Sequence, residues 1–222
     1  MSRIAIVENS DGLAKYFEGH LDGVDHETFP VWEIPRLPDV EAFDAFIFTG
    51  DYYNISDGLL PIHEMEVEFI RSIGEKKIFG SCFAHQLIAE AFGGKAGRRE
   101  ERFFGWNSLT ITEDHPIFDG LDEPYFLSMN GDEVTEKPAE AVVMATHEGC
   151  KYQILRYGDN IITCQSHPEI RKMDAIESIR EHMAGLLDRC PDLDDIVDRT
   201  IGFADDRYSD TFMANVVKWL LE

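Results

Sequence analysis

The chain has 222 residues, enough for one well-buried core, and its 44% hydrophobic and 11% aromatic content is that of an ordinary globular domain. Asp and Glu number 43 against 20 Lys and Arg, a formal charge of −23. That charge repels phosphate backbones and anionic lipid, excluding nucleic acid and membrane as expected partners, and fits a high-salt cytosol, an electropositive protein partner or a plain acidic surface equally well.

The opening Arg3-Ile-Ala-Ile-Val7 reads as a buried strand that flows into Glu8 and Asn9. It lacks the basic flank and long apolar stretch of a secretory signal, and no segment reaches the roughly 20 apolar residues of a membrane span, so a soluble cytoplasmic protein is expected. Gly12–Leu21 reads as a helix with Leu13, Phe17 and Leu21 on one face, and His26–Val31 as a second strand, a βαβ rhythm. Phe43–Phe48 and Lys77–Phe79 are further buried strands. Between them Pro61–Ile73 has a first-turn proline and an apolar stripe of Met65, Phe69, Ile70 and Ile73, the pattern of an amphipathic helix.

After Phe92-Gly93-Gly94 the texture shifts to shorter β-like pieces: Ser108–Thr112, Tyr125–Leu127, Ala141–Thr146, Tyr152–Tyr157 and Asn160–Cys164. These are expected to continue the same sheet. The end of the chain reads as two or three helices, Met173–Leu187, Asp192–Arg199 and Ser209–Leu221, with an acidic helical tail over residues 190–222. With no linker, repeat or low-complexity tract, residues 1–222 read as a single α/β domain whose parallel strands are covered by helices.

Cys82, Cys150, Cys164 and Cys190 are scattered without a CxxC pair, which argues for reduced thiols rather than a zinc ribbon or disulfide framework. Cys82 differs from the rest in its setting. A buried strand runs through Gly80 into Cys82 and then into an apolar-periodic helix carrying Leu87, Ile88 and Phe92, the strand, sharp turn, helix layout of a nucleophile elbow. There the helix N-terminus favours the thiolate, and the small Gly80 and Ala84 leave room for the turn.

A thiol nucleophile needs an imidazole and a group to orient it. Of the eight histidines, His167 alone leaves a buried-strand pattern, Ile161–Gln165, at its end. Pro168 stops the strand and sets Glu169 two residues on, within reach of the ring. His20, His26, His63, His85, His115, His147 and His182 lack such a setting and read as surface or satisfied positions, and His63-Glu64 has no second histidine at a metal-binding spacing, so no metal is expected.

Gly80-Ser-Cys82-Phe-Ala84-His-Gln86 resembles the GxCxGxQ nucleophile motif of class I glutamine amidotransferases, with alanine at the second glycine, and His167-Pro168-Glu169 resembles their HPE signature. The likeness is to a stand-alone glutaminase domain of the GMP synthase type. It implies a mostly parallel, flavodoxin-like central sheet with helices on both faces, and a Cys82, His167, Glu169 triad. Thr49-Gly50-Asp51 resembles the family's glycine-rich loop, with Asp51 and Tyr52 in place of its second glycine and proline, so Gly50 and Phe83 would supply the oxyanion N–H groups. Ser128–Val134 resembles a Ser-His-Gly-Asp stretch, with Met129 and Asn130 replacing Ser and His. Gln86, Asn130, Gly131 and Asp132 would thus contact substrate.

The implied reaction is hydrolysis of the γ-carboxamide of glutamine, or of another γ-glutamyl compound, through a Cys82 thioester without any cofactor. No ATP-binding loop is present, since Phe92–Gly97 lacks phosphate-loop spacing. The ammonia would go to a separate ATP-dependent synthetase subunit, or the chain would act alone as a γ-glutamyl peptide or amide hydrolase. A non-catalytic regulatory subunit retaining the fold is the third reading.

Overall fold

The computed structural model describes residues 2–187 and 205–222, with Asp195, Val197, Asp198 and Gly202 between them. The expected helix Asp192–Arg199 and Cys190 lie outside this described set. The strands are β1 (Arg3–Glu8), β2 (Asp25–Pro30), β3 (Ala45–Phe48), β4 (Lys77–Ser81), β5 (Lys95–Ser108), β6 (Thr110–Ile111), β7 (Tyr125–Glu136), β8 (Val142–His147), β9 (Cys150–Tyr157) and β10 (Ile161–Cys164). The helices are α1 (Ala14–Glu18), α2 (Pro61–Ser72), α3 (Phe83–Ala91), α4 (Lys172–Leu187) and α5 (Asp206–Leu220).

Eight strands form one sheet in the order β2-β1-β3-β4-β10-β9-β8-β6. The first five are parallel, and β9, β8 and β6 continue antiparallel. Runs such as Ala45-Phe46-Ile47-Phe48 are apolar at every position because both faces are covered. Their alternate side chains enter two cores. Ile4, Ile6, Ile47 and Phe79 pack with Phe17 of α1 and Phe212, Met213 and Val216 of α5 on one side. Ala5, Val7, Phe46, Phe48 and Ile78 pack with Val67 and Ile70 of α2 and Leu87 and Ile88 of α3 on the other.

The expected ten-residue helix at Gly12–Leu21 is shorter, five residues in α1, because the chain breaks into turns at Gly19 and His20. Not all of the second half joins the main sheet: β5 and β7 pair antiparallel as a separate two-stranded ribbon. The 14-residue β5 carries the run Arg98-Arg-Glu-Glu-Arg102, whose charges conceal a strand pattern and coincide with a register shift between Arg98 and Phe103. In α2 the buried residues are His63, Glu66, Val67 and Ile70, while Met65 is exposed, so the core-facing stripe is rotated from the one read in the sequence.

The fold delivers three segments to one place. β3, β4 and β10 lie side by side and parallel, so Gly50, Cys82 and His167 all emerge within three residues of their carboxyl ends. That edge is where open α/β sheets bind ligands.

Candidate active site

Cys82 has φ 53° and ψ −108° and immediately precedes α3. Among the described residues it is the one non-glycine with positive φ. Such a conformation costs about 1–3 kcal/mol and persists only where the surroundings impose it. Here the Cys82 N–H donates to the carbonyl of Cys164 on β10 at 2.8 Å, and Gly80 leaves the space the turn requires. A Cβ on Gly80 would come within 2.8 Å of Ile88 Cδ1 and 3.1 Å of Ala84 Cβ. The Phe83 N–H opens α3 and is among the helix's unsatisfied donors, and the α3 dipole points at the sulfur.

His167 is pinned through its backbone, its N–H donating to Leu127 O of β7 at 2.7 Å. Its Nδ1 lies 2.8 Å from Glu169 Oε1, which also accepts from Ser81 Oγ at 3.0 Å. Because the carboxylate can only accept, Nδ1 carries the proton and Nε2 is left for the sulfur. Burial alone lowers the His167 pKa. The charge of an ionised Cys82, then that of Glu169, with hydrogen bonds to both side chains, outweighs burial and pushes it up to about 10.

Cys164 and Cys150 are different thiols: burial holds the first far above the usual range and the second at about 12. Met129 O and the Gln165 amide approach the Cys82 sulfur at 3.8 Å and 4.0 Å. Gly50 closes the other side, where a Cβ would stand 3.3 Å from His167 Cε1 and 3.4 Å from Cys82 Cβ. The structure therefore brings Gly50, Cys82, Phe83, His167 and Glu169 together.

The remaining expected residues frame this centre. Gln86 donates to Asp132 O at 2.9 Å and to Gln165 Oε1 at 3.3 Å, and Asn130 donates to Asp132 O at 2.8 Å. The Asp132 carboxylate accepts from Ser56 N and Oγ and pairs with Arg98 at 3.1 Å. These groups thus brace the β7 backbone beside Cys82. Gly131 faces Asn54 Oδ1 and the Arg102 guanidinium, which a Cβ would meet at 3.0 and 3.3 Å.

Sequence reasoning missed several supports. Ser81 bonds Glu169 across 88 residues of chain. Ser166 joins a buried network in which it meets Ser128 Oγ at 2.7 Å and accepts from Gln153, while Asn107 donates to Ser128 at 2.8 Å. Three of the histidines read as surface or satisfied are buried side chains: His85 bonds Thr163 Oγ1 at 2.7 Å and burial drives its pKa to about 3, His63 lies 3.4 Å from Asp51, and His20 lies 3.0 Å from Glu169 O. A tract of local sequence carries no sign of such pairings. Among the described residues no group of three His, Cys, Asp or Glu is arranged to hold a metal, and no helix is long and apolar enough to cross a membrane.

This geometry suits proton exchange between a thiol and an imidazole at a carbonyl carbon. Gamma-glutamyl peptidase 2 of Arabidopsis thaliana is 30% identical over 66% of this chain, and the chain spans 62% of that relative's length. A glutamine-hydrolyzing GMP synthase subunit of Methanothermobacter thermautotrophicus is 34% identical over 65% of this chain and 81% of its own. A glutamine amidotransferase crystal structure from Thermotoga maritima superposes over 100% of this chain and 99% of its own with a TM-score of 0.85 at 16% identity, a likeness of fold. Residues 30–181 match the family described as glutamine amidotransferase class-I, and the chain belongs to that family.

Proposed function

We propose that the chain is a cysteine-dependent hydrolase of γ-glutamyl amides. The observation that carries this reading is the strained Cys82 turn set against an imidazole whose far nitrogen is fixed by Glu169. The Cys82 thiolate attacks the γ-carbonyl carbon, and the oxyanion accepts from the Gly50 and Phe83 N–H groups. Protonated His167 Nε2 gives its proton to the departing nitrogen, ammonia from glutamine or an amine from a γ-glutamyl peptide. Neutral His167 then takes a proton from water, which cleaves the thioester and releases glutamate and the thiolate. Glu169 orients the ring throughout. No cofactor enters either half-reaction.

Two uses of this chemistry remain, and each has an observation in favour. As a glutaminase the chain would pass ammonia to a separate ATP-dependent synthetase subunit, a reading supported by the GMP synthase relatives. As a stand-alone γ-glutamyl peptide hydrolase it would need no partner, a reading supported by the peptidase relatives and by Asp51 after β3 and Met129 and Asn130 on β7, which depart from the family pattern. Glutamate release from glutamine and from a γ-glutamyl dipeptide by the isolated chain separates the two. A diazo-ketone mimic of glutamine is expected to label Cys82, and Cys82→Ala to abolish release while leaving circular dichroism unchanged. Folded wild-type protein that neither labels nor turns over would instead establish the non-catalytic, regulatory role.

A further inference from the structure

Glu169 is held at both ends, and the second hold comes from parts of the chain that lie outside the matched span of residues 30–181. Its carboxylate takes Ser81 and His167, as described, while its backbone carbonyl lies 3.0 Å from His20 Nε2. The other ring nitrogen, His20 Nδ1, lies 3.2 Å from Arg171 Nη2. A guanidinium has no acceptor, so Nδ1 must accept and Nε2–H must donate to the Glu169 carbonyl. The tautomer is thus fixed by its neighbours. Burial lowers the His20 pKa.

Arg171 is in turn oriented from α5. Its Nε donates to Asp210 Oδ1 at 2.7 Å, and its Nη2 also donates to Gly19 O at 3.2 Å. Gly19 carries no Cβ, and one built there would stand 3.1 Å from Arg171 Nη1. The first turns of α5 grip the next residues as well: Asp206 Oδ1 accepts from Lys172 N at 2.6 Å, and Ser209 Oγ donates to Ile170 O at 3.4 Å. Every residue from Glu169 to Lys172 is therefore tied to His20 or α5. α5 itself is anchored by Phe212, Met213, Val216 and Leu220 in the core.

Resting on the hydrolase reading above, we infer that His20, Arg171 and Asp210 form a positioning chain that fixes Glu169 from behind, so that its carboxylate stays on His167. An isolated Arg171–Asp210 pair, half exposed as this one is, would contribute little to stability. Its value here is geometric. A displacement near 1 Å at a catalytic group costs up to about 100-fold in rate, so loss of the His20 link is expected to lower kcat by about 10-fold with KM little changed.

The test uses the full chain with His20→Leu, His20→Gln, Asp210→Asn and the His20→Leu/Asp210→Asn double variant. It measures kcat and KM for the better γ-glutamyl substrate, and the pH dependence of Cys82 alkylation by iodoacetamide, which needs no substrate. His20→Leu should lower kcat and shift the alkylation profile. His20→Gln, whose amide can both accept from Arg171 and donate to Glu169, should restore most of both. Asp210→Asn should cost less, and the double variant should be no worse than His20→Leu, because both act on one chain. Wild-type kcat and alkylation profile in His20→Leu would overturn the inference, as would equal damage in His20→Gln or additive losses in the double variant. Should wild type alkylate at Cys82 yet turn over neither glutamine nor a γ-glutamyl dipeptide, the hydrolase reading fails and the alkylation profiles still decide the positioning chain.

Discussion

Cys82 shows how one residue's geometry depends on the residue two before it. Gly80 leaves a space that Ala84 and Ile88 already fill from α3, so a methyl group at position 80 has nowhere to go. Gly80→Ala is expected to destabilise the fold by about 1–3 kcal/mol, read by urea denaturation, and to slow Cys82 alkylation as the elbow shifts. Unchanged stability would mean that α3 can move away freely. On the proposed mechanism the two members of the His167–Glu169 pair should also be unequal: His167→Ala would remove the proton carrier, Glu169→Gln only its orienter, so kcat should fall further in the first. Cys82 and His167 were readable because a strand pattern ending in a glycine turn or a proline is a local signal. Ser81, His20 and Asp210 were not, because each acts through a contact 39 to 149 residues away along the chain.

At the scale of an element, α2 presents the sharpest departure from pattern. Sequence periodicity located the helix but put Met65 inward, whereas the structure exposes Met65 and buries Glu66 completely beneath the Asp51 loop. Burial, with Asp51 adding to it, raises the Glu66 pKa to about 8 from an ordinary 4.5. The sign follows from proton counts. Between those two values the unfolded chain has lost the proton and the folded one keeps it, so the ionising unfolded state gains and stability falls as pH rises through this window. Glu66→Gln is therefore expected to match wild type below about pH 4.5 and to exceed it by about 3 kcal/mol near pH 7. Equal stabilities at both pH values in chemical denaturation would show that Glu66 is ionised in the fold. A hydrophobicity pattern cannot anticipate such a residue, since it counts every carboxylate as solvent-seeking.

For the whole molecule, the βαβ rhythm of the first half was enough to give parallel strands covered by helices, and the family resemblance supplied the cover on both faces. The detached β5–β7 ribbon and the return of α5 across the sheet were hidden, the first by a charged strand, the second because Phe212 of α5 packs on partners as far off in sequence as Phe79 and Phe126. The charge of −23 acts at this scale too. Its self-repulsion is screened by salt, so Tm should rise by several degrees between about 0.05 and about 1 M NaCl, as followed by calorimetry. A flat response would mean that acidic side chains are already offset locally by the ion pairs.

Cys82 and His167 follow neighbouring parallel strands in matched register, Cys164 opposite Ser81. Their separation is thus set by the backbone ladder of the central sheet, much as two marks on one ruler keep their interval however the ruler is carried. Fraying of a surface loop leaves that interval alone. Only a slip of β10 against β4 changes it, and a slip of one residue would move the imidazole by about 3.3 Å and turn every side chain of β10 to the opposite face. Since both faces of β10 are buried, the packing that stabilises the fold is also what keeps Cys82 and His167 in step.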